Sequence, residues 1–141
     1  MSQWTTAQSR AINARDNNLL VSAGAGAGKT AVLVERIIGR VLDPVAPIDI
    51  DRLLVVTFTN AAAAEMRERI GAALVSRLKD DAANSYLQRQ IALLGKSSIT
   101  TLHSFCLELM RQHFYQLSLD PSFRVADETE VDLIRVDVLE N

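Results

Sequence analysis

Apolar residues recur every three or four positions through most of this chain, in segments separated by turn-forming residues, and this spacing predicts amphipathic helices. Short apolar runs between these segments are predicted to be strands. The predicted helices cover residues 5–14, 29–42, 61–79, 85–94, 103–115 and a last segment that begins near 127. The predicted strands cover residues 19–22, 53–58 and 98–102. Strands that alternate with helices favour parallel pairing through right-handed crossovers, so the sequence predicts an α/β fold.

Local signals add detail to this outline. Residues 53–56 are all apolar, as expected of a strand that is buried on both faces. Asn60 is predicted to cap the helix that follows. Asp127 and Glu130 have the spacing of a capping box, which predicts the start of the last helix. Cys106 is predicted to lie in the core.

Composition and charge narrow the function classes. The chain has 141 residues, of which 48% are hydrophobic and 23% charged, enough for one globular domain with a core. The net charge of −2 gives no global electrostatic support for nucleic-acid binding, which would need a local surface. The single cysteine cannot form an internal disulfide, and no apolar run is long enough to span a membrane. We therefore expect a protein of a reducing, cytoplasmic compartment.

The sequence LLVSAGAGAGKT at residues 19–30 is the strongest functional signal. An apolar run leads into a loop of alternating Ala and Gly, and a helix pattern begins directly after it. The loop glycines have no Cβ, so the loop can adopt positive φ and bring backbone N–H groups close to phosphate oxygens. Lys29 would supply a full charge to the β- and γ-phosphates, and Thr30 a hydroxyl to Mg²⁺. The pattern thus predicts a phosphate loop for a nucleoside triphosphate.

One position departs from the usual G-x-x-x-x-G-K-[ST] pattern, because Ala23 stands where the first Gly is expected. The alternative is a Gly- and Ala-rich turn that happens to precede a helix. The apolar run before the loop, and the regular spacing of Val32, Ile37 and Val41 after it, favour the phosphate loop. This strand–loop–helix context is the one that the motif requires.

Gln8, on the first predicted helix, is a candidate for base recognition. Its carboxamide offers one acceptor and two donors, which suits the adenine edge, whose amino group donates and whose N7 accepts. Considered alone, a surface glutamine on an N-terminal helix is the more common situation. The assignment therefore depends on what accompanies Gln8.

Polar and aromatic residues follow two of the predicted strands, where ligands bind in parallel α/β sheets. Thr57 and Asn60 suit a phosphodiester backbone, and Phe58 offers a base a stacking face. The alternative there is a buried aromatic residue with an ordinary helix cap. His103 and Cys106 allow a thiol-hydrolase interpretation. Because no oxyanion pocket or orienting group accompanies them, a backbone or phosphate contact by the histidine is favoured.

Four motifs occur in an order that is typical of one helicase family. They are WTTAQ at residues 4–8, AGAGAGKT at 23–30, VTFTNAAAAEMRERI at 56–70 and ITTLHSFC at 99–106. They resemble motifs Q, I, Ia and Ib of superfamily 1 DNA helicases of the UvrD/Rep/RecB kind, in which Ala at the first phosphate-loop position is usual. HSFC, together with LDPSFRVADETE at 119–130, resembles the AddA type of helicase–nuclease in bacterial double-strand-break repair.

This resemblance implies a fold and a set of roles. Residues 1–118 are expected to be the N-terminal part of a RecA-like P-loop domain, the first motor domain, and 119–141 the start of an inserted helical subdomain. Gln8 would read adenine, Lys29 would be catalytic and Thr30 would hold Mg²⁺. The implied ATP-binding residues are Gln8, Ala23, Gly24, Ala25, Gly26, Ala27, Gly28, Lys29 and Thr30. The implied single-strand DNA path is lined by Thr57, Phe58, Asn60, Thr101 and His103.

The resemblance also implies partners: single- and double-stranded DNA and an AddB-like protein. Relatives hydrolyse ATP with an Asp-Glu pair, a water-positioning Gln and arginine fingers, none of which is convincingly present here. We therefore expect a piece of a longer enzyme, inactive by itself and prone to self-associate through exposed strand edges. The alternatives are a stand-alone nucleotide-binding module without a DNA role and a small-molecule kinase. A kinase would leave both strand-end motifs unexplained.

Overall fold

A computed structural model describes residues 4–15 and 18–140 of the chain. Along the chain lie helix α1 (Thr6–Asn13), helix α2 (Lys29–Val41), a 3₁₀ turn (Ile50–Arg52), strand β1 (Leu54–Thr57), helix α3 (Asn60–Asp80), helix α4 (Ser85–Leu93), a second 3₁₀ turn (Leu94–Lys96), strand β2 (Ser98–Thr101), helix α5 (Leu102–Gln112) and helix α6 (Glu128–Glu140). The chain divides into two compact units, Met1–Phe105 and Cys106–Asn141. The predicted domain division between residues 118 and 119 stays a prediction.

The sheet of the first unit consists of β1 and β2, which pair in parallel. Val55 lies opposite Ile99, and Thr57 lies opposite Thr101 at the carboxyl ends of the strands. The connection between the strands runs through α3 and α4, as a parallel pair requires. The prediction of an α/β fold with parallel pairing is confirmed, and the structure is rich in helix.

The core of the first unit lies between one face of this sheet and the apolar faces of α2, α3 and α4. On α3, Met66, Ile70 and Leu74 recur at intervals of four residues, so they form one buried stripe. Full burial of such a side chain typically contributes about 1.5–3 kcal/mol to stability. The most deeply buried apolar side chains are Ile38, Val41, Ile50, Ile70, Leu74 and Ile99.

Two of the strand predictions need correction. Residues 19–22 form no strand in the described structure, and Leu20 is 94% exposed. β1 is buried on one face only, because Leu54 and Val56 remain 49% and 43% exposed. An apolar run becomes a doubly buried strand only where a neighbour takes up its backbone groups and covers its faces. Among the described residues, β1 borders instead a groove of about 890 Å³ on the side of α2.

At the outer edge of β2, a side chain of α3 binds backbone carbonyl groups. Arg67 of α3 donates from one guanidinium nitrogen to the carbonyl oxygens of Ser97 (3.3 Å) and Ile99 (3.0 Å). The Ile99 N–H also bonds the Ser97 carbonyl at 2.9 Å, so the backbone groups of these residues lie on the side of β2 away from β1. Arg67 therefore satisfies carbonyls that an edge strand would otherwise present to solvent.

In the second unit, α6 begins as predicted. Asp127 Oδ1 accepts from the Glu130 N–H at 2.9 Å, and Glu130 Oε2 accepts from the Asp127 N–H at 3.1 Å, which completes the capping box. Arg124 pairs with both oxygens of Glu130, and this hydrogen bonding lowers the pKa of Glu130. The core prediction for Cys106 is wrong: the thiol is exposed, because α5 buries none of its side chains completely. None of the described helices is long and apolar enough to cross a membrane.

Candidate nucleotide site and strand-end surface

The predicted phosphate loop, residues 23–30, leads from a segment without regular secondary structure into α2. Gly26 and Gly28 have φ values of 75° and 76°, in the left-handed region that residues with a Cβ rarely adopt. The Ala27 N–H bonds the Gly24 carbonyl at 3.4 Å and closes the turn. Gly28 is the N-cap of α2 and provides no side-chain cap. The first N–H groups of the helix are therefore available to a ligand.

Lys29 folds back over this loop. Its Nζ donates to the carbonyl oxygens of Ala23 (2.8 Å) and Gly24 (2.6 Å). The ammonium group has three donors, so these two bonds orient it and leave one donor free of the loop carbonyls. Thr30 is exposed in the first turn of α2. The structure thus brings the charge and the hydroxyl to the same helix start.

Gln8 joins α1 to the phosphate loop. Its Oε1 accepts from the Thr5 N–H at 2.9 Å, while Thr5 Oγ1 accepts from the Gln8 N–H at 3.3 Å, so the pair forms a capping box at the start of α1. Gln8 Nε2 donates to the Ala27 carbonyl at 3.3 Å. A carboxamide has two donors and two acceptor lone pairs, so half of its capacity orients the group and half remains for a ligand.

Gly28 lies close to the Gln8 side chain of α1. A Cβ at this position would lie 3.3 Å from Gln8 Nε2, which is tighter than ordinary van der Waals contact. At Gly24, by contrast, a Cβ would meet no atom within 4 Å. The two glycines therefore serve different purposes: Gly28 admits the glutamine and supplies the left-handed turn, whereas the backbone at Gly24 lies open.

The second group of predicted residues lies at the carboxyl ends of β1 and β2 and comprises Thr57, Phe58, Asn60, Thr101 and His103. These residues, together with Thr59 and Leu102, are called here the strand-end surface. Thr57 and Thr101 are neighbours in the strand register. Phe58 is 102% exposed relative to its reference state, so the prediction of an available aromatic face holds over a buried aromatic. His103 is also exposed, at the start of α5.

The cap of α3 is one residue earlier than predicted. Thr59 has an extended backbone, and its Oγ1 accepts from the Ala62 N–H at 3.1 Å, while Asn60 is already the first helical residue. The capping prediction for Asn60 is therefore wrong, because the cap is the last residue outside the helix. Thr57 Oγ1 donates to the Thr59 carbonyl at 2.9 Å and holds the junction in place. Asn60 keeps an exposed carboxamide.

Two residues of this surface were missed in the sequence. Leu102 directly follows β2 as the first residue of α5, and its side chain is 56% exposed. Thr59 was passed over in favour of Asn60, although a threonine three residues before Ala62 is itself a cap signal. Thr101 is buried, and its Oγ1 donates to Ser104 Oγ at 2.9 Å, so its hydroxyl is already engaged within the protein.

The chain thus combines a glycine-rich loop that opens a helix with a parallel strand pair whose carboxyl ends carry exposed aromatic and polar residues. The chain belongs to the family described as UvrD/REP helicase N-terminal domain, which it matches over residues 4–141.

More particularly, the chain is similar to proteins whose names describe them as subunits of an ATP-dependent helicase/nuclease. It is 64% identical to the one from Desulforamulus reducens over 138 residues, 98% of this chain. It is 62% identical to the one from Pelotomaculum thermopropionicum over 97% of this chain, and 57% identical to the one from Acetivibrio thermocellus over 98%. The chain covers 11% of the length of each of these relatives.

Proposed function

We propose that the chain is the ATP-binding N-terminal segment of an ATP-dependent DNA helicase–nuclease that moves along single-stranded DNA in double-strand-break repair and recombination. The family membership and the names of the relatives support this function. The observation that carries it is the phosphate loop, in which two left-handed glycines precede an uncapped helix start and Lys29 is held over the loop. A nuclease activity elsewhere in the longer protein belongs to the same proposal, as does an AddB-like partner.

The corresponding fold is the N-terminal part of a RecA-like P-loop domain, the first motor domain of such an enzyme. The parallel pairing of β1 with β2 and the position of the phosphate loop before α2 support it. Residues 119–141 are then the start of an inserted helical subdomain.

The residues of the loop fit a nucleoside triphosphate with Mg²⁺. Left-handed backbone of the kind found at Gly26 and Gly28 can turn nearby N–H groups toward phosphate oxygens, and the open backbone at Gly24 leaves room for them. Lys29 would exchange its carbonyl partners for phosphate oxygens, and the exposed Thr30 hydroxyl would hold the metal ion. When bound, Mg²⁺ neutralises charge on the β- and γ-phosphates. The free half of the Gln8 carboxamide would bond the adenine edge.

The strand-end surface supplies the DNA contacts in this proposal. Phe58 offers an unobstructed face, and stacking of a base on such a face is typically worth ~1–3 kcal/mol. Asn60 and His103 are exposed and suit phosphate or sugar contacts, with Thr57 beside them. Thr101 would act through its position in β2, because its hydroxyl bonds Ser104. Leu102 adds an exposed apolar side chain to the same surface.

The test is DNA-stimulated ATP hydrolysis by the full-length parent protein, assembled with its partner. Lys29→Ala is expected to abolish ATP hydrolysis and translocation while the fold is retained, because Lys29 brings a full positive charge to the phosphate loop. The matched control is Lys79→Ala, which removes an exposed lysine from the end of α3. Lys29→Ala activity within a few-fold of the parent would contradict the assignment.

The second candidate is a stand-alone nucleotide-binding module without a DNA role. It predicts nucleotide binding that single-stranded DNA neither stimulates nor displaces, which a DNA titration in the same assay detects. The exposure of Phe58 beside polar strand ends favours the DNA-dependent function.

A further inference from the structure

Helix α1, which carries Gln8, has little packing of its own. It is an 8-residue helix, and a helix this short is marginal in water unless tertiary contacts hold it. Its buried side chains are Ala11 and Ile12, which meet Val32 of α2, with Trp4 packed alongside. The position of Gln8 must therefore depend on polar contacts as well as on this small apolar cluster.

One arginine of α2 forms hydrogen bonds with the backbone at the carboxyl end of α1. Arg36 Nη1 donates to the carbonyl oxygens of Ala11 (2.7 Å) and Ala14 (2.6 Å), with a longer contact of 3.5 Å to Ile12. These are carbonyls that a helix leaves without partners at its end, where a positive charge is also favoured by the helix dipole. Arg15 adds bonds to Ile12 and Ala14 from within the same segment.

Arg36 is partly buried, and its burial, followed by the nearby charges of Arg15 and Arg40, lowers its pKa. A guanidinium stays protonated in proteins nevertheless. The like charges would push Arg36 out of this position if it had no strong acceptors there. The hydrogen bonds to the carbonyls of Ala11 and Ala14 offset this repulsion.

The two attachments of α1 lie near its two ends. Gln8 is bonded to Ala27, just before α2, and residue 14 is bonded to Arg36, two turns into α2. With a rise of about 1.5 Å per residue, the span from 8 to 14 is about 9 Å and that from 28 to 36 is about 12 Å. α1 thus runs beside α2 in the same direction, fixed at both ends to the helix that carries Lys29.

We propose that Arg36 is a positioning residue for base recognition. By holding the carboxyl end of α1 to α2, it fixes the position of the Gln8 carboxamide along the axis of α2, beside the phosphate loop. This inference rests on the proposed function, in which Gln8 reads adenine. A shift of α1 along α2 moves the amide relative to the nucleotide base while leaving Lys29 and Thr30 on their own helix. Arg36 therefore acts on which base is accepted rather than on the phosphate chemistry.

The experiment measures kcat/KM for ATP and for GTP in the full-length, DNA-stimulated enzyme with its partner. Gln8→Ala is expected to reduce the preference for ATP by about 5- to 150-fold, the usual range for a bidentate amide contact with a base. Arg36→Met, which keeps an unbranched apolar side chain, is expected to reduce it by a comparable factor, mainly through KM for ATP. Arg36→Lys restores part of the preference, because an ammonium can donate to the same carbonyls.

The double variant decides whether Arg36 acts through Gln8. The combined Gln8→Ala and Arg36→Met variant is expected to be no less selective than Gln8→Ala alone, whereas independent roles would multiply the two effects. The matched control is Arg77→Met, which breaks the 2.8 Å pair with Glu35 on α2 and is expected to leave the ATP preference unchanged.

The outcomes separate this inference from the function on which it rests. If Gln8→Ala leaves the ATP preference unchanged, the adenine role of Gln8 fails. If Gln8→Ala lowers the preference but Arg36→Met does not, or if the two effects multiply, the positioning role of Arg36 is overturned. Should Arg36→Met fail to fold, Arg36→Leu replaces it, since it also removes every donor to the carbonyls of α1, and an unchanged preference in that variant overturns the inference equally.

Discussion

The starts of α2 and α3 differ in how the protein treats their first N–H groups. At α2 the N-cap is Gly28, left-handed and without a side chain, so the helix start is left open. At α3 the N-cap is Thr59, extended, and its hydroxyl takes up the Ala62 N–H. The first start keeps its backbone for a ligand, whereas the second uses its backbone in local structure and offers side chains instead. A substitution at one helix start should therefore impair the function of that start and leave the other unaffected.

The largest effect confined to one of the two helix starts is expected from a substitution at Phe58. Phe58→Ala should weaken single-stranded DNA binding by about 5- to 150-fold, because it removes a fully exposed stacking face, and should leave nucleotide affinity unchanged. Fluorescence anisotropy with labelled oligonucleotide measures the first and ATP titration the second. Val45→Ala, at a 90% exposed position in the loop after α2, is the matched control. Equal loss of both affinities would show that Phe58 supports the fold instead.

At the open helix start, Gly28→Ala is the corresponding change. It should lower nucleotide affinity by about 5- to 30-fold, because a Cβ in the left-handed region costs about 1–2 kcal/mol and the new atom also presses on Gln8. Gly24→Ala is the control within the same loop, where a Cβ meets nothing and φ is not positive. DNA affinity should not change in either variant. Equal nucleotide affinities of the two variants would argue against the observed loop geometry.

The smallest effect is expected at the capped helix start. Thr59→Ala should cost the first turn of α3 about 0.5–2 kcal/mol, since it removes the bond to Ala62. Native-state hydrogen exchange in the full-length protein would show this as faster exchange at the start of α3, with Thr59→Ser close to the parent. Asn60→Ala tests the competing assignment, because a larger effect there than at Thr59 would restore Asn60 as the cap.

The helices could be predicted from the sequence because their ends are encoded locally. The predicted range 29–42 differs from α2 by one residue, since Asp43 and Pro44 stop the helix whatever surrounds it. The capping box at Asp127 is likewise a matter of three residues. The phosphate loop could be predicted for the same reason, because the residues of its pattern lie in consecutive positions.

What the sequence could not provide depends on distant partners. The strand predicted at 19–22 and the second buried face of β1 both require neighbours that periodicity does not specify. The bond from Gln8 to Ala27 spans 19 positions and that from Arg36 to Ala11 spans 25, and neither leaves a mark in the spacing of apolar residues. Cys106 was misplaced because a small apolar residue on a helix gives no sign of whether that face is covered.

The guanidinium of Arg67 would also limit how far copies of this sheet could polymerise. A ribbon of strands grows without end only if every added chain presents a fresh free edge to the next. Here Arg67 already occupies the carbonyls of Ser97, just before β2, and of Ile99 within it, so the edge at β1 is the more accessible one within the described sheet. Two copies that meet through β1 consume both open edges and stop at a pair. In the terms of polymer chemistry, Arg67 is a chain stopper.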